Sequence, residues 1–227
     1  MDTGYDKIWD KIYTEGHEQK APWDSVVSFV YRNMLKDTEP SAIRILEVGC
    51  GTASNLRFFA QEGFQVYGID AASKAIEVAQ NYFSKNDLTA ELKVGSFETL
   101  PFAAGMFDLI IDRAALVHNG TSVQVNAINE IHRCLKTGGK FLYTPYADTH
   151  GSCRAGEPFE DGLTHHITAG TLLNVGHLRF MNRDDIEAIF PRKAWTFKNL
   201  EYIEQNNLLD NSEFGLHSSW RVIVEKL

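Results

Sequence analysis

Cysteine is scarce in this 227-residue chain: Cys50, Cys134 and Cys153 are the only three, far apart and in no metal or redox spacing. A disulfide framework is thereby excluded, and free thiols, buried or half-buried, are expected. Proline is also sparse, at six residues, and glycine is spread as punctuation between short elements. No linker, repeat or low-complexity tract breaks the chain, so one domain is expected over 1–227. Basic residues are outnumbered, 22 Lys and Arg against 30 Asp and Glu, for a formal charge of −8, and they form no run. Binding that neutralises nucleic-acid phosphates needs a basic face, so no nucleic-acid partner is expected. Nowhere do eighteen apolar residues run together, and residues 1–20 lack a basic-then-apolar signal pattern. The expectation is a cytoplasmic protein, monomer or homodimer, with a small-molecule partner and no membrane contact.

What is present is alternation. The apolar stripe Val27, Val30, Tyr31, Met34 has a helical period, with Asp24 as candidate N-cap. Past Pro40, residues 43–48 (Ile-Arg-Ile-Leu-Glu-Val) form a buried-strand pattern, followed by the turn Gly49-Cys50-Gly51 and a helix over 55–61 that Gly63 stops. A strand over 65–69, a helix over 74–83 and strands at 91–94 and 107–112 repeat the rhythm. The next helix carries a capping-box pattern, Thr121-Ser-Val-Gln124, turns Val125, Ile128, Ile131 and Leu135 inward, and ends at Gly138-Gly139 before a strand over 140–144. Strands alternating with helices imply right-handed crossovers and a doubly wound, mostly parallel α/β sheet.

After Pro145 the rhythm changes. A polar stretch to about Gly176 holds His150, Arg154, His165 and His166, and a short helix capped by Asn182 follows. Two strand-like runs, 196–203 and 219–225, are joined by a loop over 206–215, and the second alternates Trp220, Val222 and Val224 on one face. An antiparallel hairpin closing the sheet is expected.

In such a sheet ligands bind at the carboxyl ends of the strands, where strand order reverses. The first loop there is Glu47-Val-Gly49-Cys50-Gly51-Thr-Ala53. Its glycines permit a sharp turn and close backbone approach, with amides of the following helix facing the ligand. A nicotinamide fingerprint expects glycine at the position of Ser54 and an apolar residue at Glu47, beside an anionic pyrophosphate. A carboxylate at this strand end suits a cationic ligand instead.

Leu46-Glu-Val-Gly-Cys-Gly-Thr52 resembles the first motif of the class I S-adenosylmethionine-dependent methyltransferases, small-molecule type. Asp70 stands 23 residues after Glu47, at the place of the acid that takes the ribose hydroxyls in that family. Gly95-Ser96-Phe97-Glu98 with Leu100-Pro-Phe102 resembles its adenine loop, 107–112 its fourth strand and 135–141 its turn into the fifth, so the likeness spans about 43–144. Two positions depart: Ala53 replaces the third glycine, and Ser96 stands where an acid is common.

The resemblance implies a seven-stranded, Rossmann-like methyltransferase fold with one antiparallel strand, and S-adenosylmethionine as cofactor. Its parts would be a helical lid over 1–40, a cofactor core over 41–144, a substrate-side segment over 145–181 and a C-terminal helix and hairpin over 182–227. Glu47, Gly49, Cys50, Gly51, Asn55, Asp70, Ala71, Ser96, Phe97, Asp112 and Arg113 would bind the cofactor, with Trp9 of the lid; Tyr13 and Trp23 lie in the same lid segment. The reaction implied is methyl transfer to an oxygen or nitrogen of a small molecule. A hydroxyl acceptor gains from a base, for which His118 and His150 are the first candidates and His165 and His166 the others. No metal is expected, because His150, Cys153, His165 and His166 do not have structural-zinc spacing. Two other readings stay open: an NAD(P)- or nucleotide-sugar enzyme on this fold, and a non-catalytic S-adenosylmethionine-binding protein.

Overall fold

A computed structural model describes residues 6–209 and 212–227; residues 1–5 of the expected lid and 210–211 of the expected hairpin loop lie outside the described residues. The elements are α1 (Ile8–Thr14), α2 (Asp24–Asn33), β1 (Arg44–Val48), α3 (Ser54–Gln61), β2 (Gln65–Asp70), α4 (Ser73–Lys85), β3 (Glu91–Val94), β4 (Phe107–Asp112), α5 (Thr121–Cys134), β5 (Leu135–Tyr143), α6 (Gly151–Arg154), β6 (Glu157–Pro158), β7 (Thr164–His165), α7 (Arg183–Ile189), β8 (Trp195–Gln205) and β9 (His217–Lys226). Seven strands form one sheet in the order β3-β2-β1-β4-β5-β9-β8, parallel except β9, which runs antiparallel to both neighbours. Strand order reverses between β1 and β4, where Val48 lies beside Asp112, and this crevice is the place for a ligand. The short ribbon β6–β7, which has no strand pattern in the sequence, stands apart from the sheet.

Strand alternation puts two apolar layers on the sheet. Ile45, Leu109, Ile111 and Leu142 face α2, α3 and α4, meeting Phe29, Phe59 and Phe83; Leu46, Ile110, Phe141 and Val222 face α5 and α7, meeting Ile128, Ile131 and Ile186. Each such side chain contributes about 1.5–3 kcal/mol when fully buried. The free thiols of Cys50 and Cys134 lie in these layers. No described helix is long and apolar enough to cross a membrane.

Local expectations fail where tertiary packing competes with pattern. Asp24 does not cap α2; Trp23 occupies the N-cap with no side-chain bond. The buried stripe of α2 is Val26, Phe29 and Val30 while Tyr31 is exposed, so α2 packs in the sheet layer. Thr121 and Gln124 form no capping box, since Gly120 is the N-cap and both side chains are drawn to tertiary partners, the Asp161 and Asn119 carbonyls. Val125 is consequently exposed, and Gly138-Gly139 lie within β5 rather than ending the helix. Asn182 does cap α7, in a full capping box with Asp185.

Candidate functional site

The β1–α3 loop turns through two left-handed glycines, Gly49 at φ +64° and Gly51 at φ +52°. A Cβ on Gly49 would lie 2.1 Å from the Ala115 Cβ, and one on Gly51 would lie 2.5 Å from the Tyr13 hydroxyl, so neither position has room for a side chain. Ala53, at the third glycine position, also holds a left-handed conformation, φ +63°, and is buried. The loop's first amides serve the fold: Gly49 and Cys50 donate to the Ile69 carbonyl, and Gly51 donates to Asp70 Oδ2 at 2.8 Å. Asp70 Oδ1 accepts from Ala72 N–H at 2.8 Å. The acid at the end of β2 thus ties two loops together, and each oxygen keeps a second lone pair for a ligand.

Two carboxylates flank the crevice with one oxygen each unpartnered. Glu47 is buried; Oε1 accepts from Asn55 Nδ2 at 2.6 Å, while Oε2 has no bond partner. Asn55 is itself held by accepting the Trp23 amide at 2.9 Å. Asp112 Oδ1 accepts from the Ala115 and Leu116 amides at 3.0 and 2.8 Å, and its Oδ2 is the other orphan. Burial raises the Glu47 pKa to about 8 against the lowering bond from Asn55, with Asp112 and Asp70 adding to the rise and Arg113 opposing it. Burial likewise raises Asp112 to about 6, opposed by the Leu116 and Ala115 amides, and holds the Cys50 thiol protonated. A buried, unpaired carboxylate oxygen is costly unless something arrives to meet it. An ammonium group fits that need, as does any ligand placing positive charge between β1 and β4.

Two cavities open on this edge. The smaller, about 120 Å³, is lined by Asp70, Ala71 and Phe97 with Trp9, Arg113 and His118; the larger, about 580 Å³, takes in Glu47, the glycine loop and Asn55 and continues to the β8–β9 hairpin. Trp9, Tyr13, Arg113 and His118 line both and so stand at the junction. Arg113 lies 4.0 Å over the Trp23 ring. Among the proposed cofactor residues, two line neither cavity: Asp112, which is fully buried behind the crevice, and Ser96, which is exposed and whose hydroxyl accepts the Glu98 amide at 3.1 Å. Ser96 shapes the loop, and Phe97 supplies the surface beside the small cavity.

The histidines separate. His118 sits edge-on to Trp9 at 4.9 Å, with Nδ1 3.2 Å from the His177 carbonyl, and desolvation lowers its pKa to about 4, so its ring is neutral. His150 does not reach the cavity. It is fully buried, caps α6 by accepting the Ser152 amide at 3.0 Å, and contacts His217 behind the wall. The reason is the chain reversal at α6, which consumes the imidazole as a cap. His217, which does line the cavity, was not singled out in the sequence; its signal is the polar alternation His217, Ser219, Arg221 along a strand whose other face is apolar. His165 and His166 lie outside both cavities, on the β6–β7 ribbon, where their ring nitrogens and a Glu157 oxygen fall within 4.8 Å of one another.

Residues 45–139 match the family described as "Methyltransferase domain". The uncharacterized methyltransferase YcgJ of Bacillus subtilis (strain 168) is 25% identical over 170 residues, 74% of this chain and 63% of that protein. Sarcosine/dimethylglycine N-methyltransferase of Aphanothece halophytica is 29% identical over 177 residues, 76% of this chain and 58% of that protein. The match thus spans about three fifths of these relatives' length. In fold, the chain is similar to the crystal structure of a SAM-dependent methyltransferase from Methanosarcina mazei, with TM-score 0.70 at 19% identity over 88% of this chain and 97% of that one.

Proposed function

We propose that the chain is a class I S-adenosylmethionine-dependent methyltransferase and that it transfers the methyl group of S-adenosylmethionine to an oxygen or nitrogen of a small molecule. The observation that carries this reading is Glu47 Oε2, buried and without a partner at the switch point of the sheet. The α-ammonium of the cofactor supplies the charge it lacks. Asp70 offers its spare lone pairs to the ribose, Ala71 and Phe97 border the adenine side, and Arg113 stands where the carboxylate end needs a cation. Asp112 adds a second carboxylate to the same pole. The cofactor brings a methyl already activated on a sulfonium; the chain's task is alignment. Holding a nucleophile in line supplies about 7–11 kcal/mol of such a barrier, and the aromatic roof of Trp9 and Tyr13 excludes water from it.

A nicotinamide or nucleotide-sugar ligand fits less well, because its pyrophosphate would lie against Glu47. A purely binding role is disfavoured by the 580 Å³ cavity adjoining the small one, which leaves room for a second molecule. The relatives named for sarcosine, dimethylglycine and ubiquinone biosynthesis support a small-molecule acceptor. Calorimetry tests the reading: S-adenosylhomocysteine should bind at micromolar concentration, about −8 kcal/mol, and NADH at least a hundredfold more weakly. Equal affinity for the two would sink it. Labelled S-adenosylmethionine with fractionated metabolites then identifies the acceptor.

A further inference from the structure

Of the three histidines that line the large cavity, His17, His118 and His217, the last two are fixed by their partners in opposite tautomers. His118 Nδ1 faces the His177 carbonyl at 3.2 Å. A carbonyl only accepts, so Nδ1 carries the proton and Nε2 is left with a lone pair. For His217 the assignment starts two residues deep. The Ser152 amide can only donate, so His150 Nδ1 accepts and its proton sits on Nε2. That Nε2 lies 3.1 Å from His217 Nδ1 and 3.3 Å from Thr171 Oγ1, which is itself 3.1 Å from His217 Nδ1. The direct 3.1 Å contact aims that proton at His217 Nδ1, which accepts it. The neutral His217 ring therefore keeps its own proton on Nε2 and is a donor.

It does not stand alone. His217, Ser219 and Arg221 alternate along β9, about 6.8 Å per two residues, and all three line the cavity; Gln205, paired with His217 on β8, lines it beside them. Arg221 gives one N–H to Glu201 and has four more. While Glu47 lines the β1 end of this cavity, the hairpin wall offers donors and one cation, Arg221.

We propose, resting on the methyltransferase reading, that the acceptor is a small carboxylic acid: its carboxylate lies along the His217–Arg221 wall and its nucleophilic hydroxyl or amine faces His118 Nε2. His217 is then a specificity-determining residue, and His150 with Thr171 are positioning residues that hold its tautomer. In the transfer, a lone pair of the nucleophile forms the bond to the methyl carbon, the carbon–sulfur pair stays on sulfur as a neutral thioether, and the proton of the nucleophile passes to His118 Nε2.

The full chain saturated with S-adenosylhomocysteine is the test material. Long-range proton–nitrogen correlation of labelled histidines should find Nδ1–H for His118 and Nε2–H for His150 and His217. Calorimetry with benzoate against benzamide, and 4-aminobutyrate against its amide, should find at least one acid bound ten times more tightly than its amide. His217→Leu should abolish that preference, and His217→Gln, which keeps an N–H near the Nε2 position, should restore most of it. An Nδ1–H tautomer for His217, or no preference for either acid, overturns the proposal. Failure of S-adenosylhomocysteine itself to bind would overturn the broader reading and the proposal with it, whereas good binding without acid preference defeats this inference alone.

Discussion

The two sides of the candidate site are built from opposite chemistry and by opposite routes. At the β1–β4 end the functional groups are acceptors, Glu47, Asp70 and Asp112, each at or near the carboxyl end of a parallel strand. At the hairpin end they are donors on β9 and β8, His217, Ser219, Arg221 and Gln205, backed from behind by His150 and Thr171. The first end is dictated by the sheet, because every parallel strand delivers its last residue to the same edge. The second depends on connections that the sheet does not constrain. A site can therefore be fixed at one pole by topology and left free at the other to choose its acceptor.

The largest effect is expected at the pole fixed by topology. Gly51→Val would put a β-branched residue at φ +52° under the Tyr13 hydroxyl. S-adenosylhomocysteine affinity should fall more than about a hundredfold, roughly 2.7 kcal/mol, with a lower melting temperature from the left-handed strain. Unchanged affinity in calorimetry would mean that the loop does not touch the cofactor.

Glu47→Gln separates stability from binding. The carboxyl has a folded pKa of about 8 against an ordinary 4.5, so the folded chain holds a proton that the unfolded chain loses, and Glu47 costs more stability as pH rises between those values. The glutamine variant, which keeps the acceptor for Asn55, should therefore out-melt the parent by a margin that widens from about pH 5 to pH 8, while cofactor affinity falls at least about tenfold. His118 and His150, both lowered to about 4, have the opposite slope: the unfolded chain takes up their protons first, so acidification from 6.5 to 4 removes stability. That loss is common to parent and variant and cancels in the difference. At pH 7 the parent should also release protons on binding S-adenosylmethionine, seen as buffer-dependent calorimetric heats, and the variant should not.

Asp70→Ala should lose on both counts, since it strips a bond from the Gly51 and Ala72 amides and removes the ribose acceptor. A drop of about 1–3 kcal/mol per unsatisfied amide should accompany a roughly tenfold weaker affinity; a melting change with intact affinity would make the residue purely structural. Ser96→Ala marks the small end of the scale. Its hydroxyl is engaged with the Glu98 amide outside both cavities, so affinity should stay within about twofold, and a larger loss by the same titration would bring Ser96 into the adenine site.

The sequence made the first pole legible and not the second. Glu47, Gly49, Gly51 and Asp70 lie within 24 residues, in an order that the strand–loop–helix rhythm preserves. His150 and His217 are 67 residues apart, and only the hairpin folding over α6 decides which of the two faces the cavity. The α5 cap failed for the same reason: a local pattern, Thr121 to Gln124, was outbid by Asp161 from 40 residues away. Short-range chemistry can be read when its partners are also short-range.

The helix α1 buries none of its seven residues, yet Trp9 and Tyr13 on it roof both cavities. It is held by the Trp9 ring against His118, the Tyr13 hydroxyl beside Gly51, the half-buried Ile8 and Ile12, and the Asp6–His177 pair that precedes it. With no fully buried side chain it belongs to the low-stability end of the molecule, where opening is a local unfolding step. Detachment and return of these seven residues, on the microsecond-to-millisecond scale of lids, is the expected gate for ligand traffic through this roof. Mild denaturant below the global transition should hasten product escape while slowing the chemical step, so the overall rate would pass through a maximum before the protein unfolds.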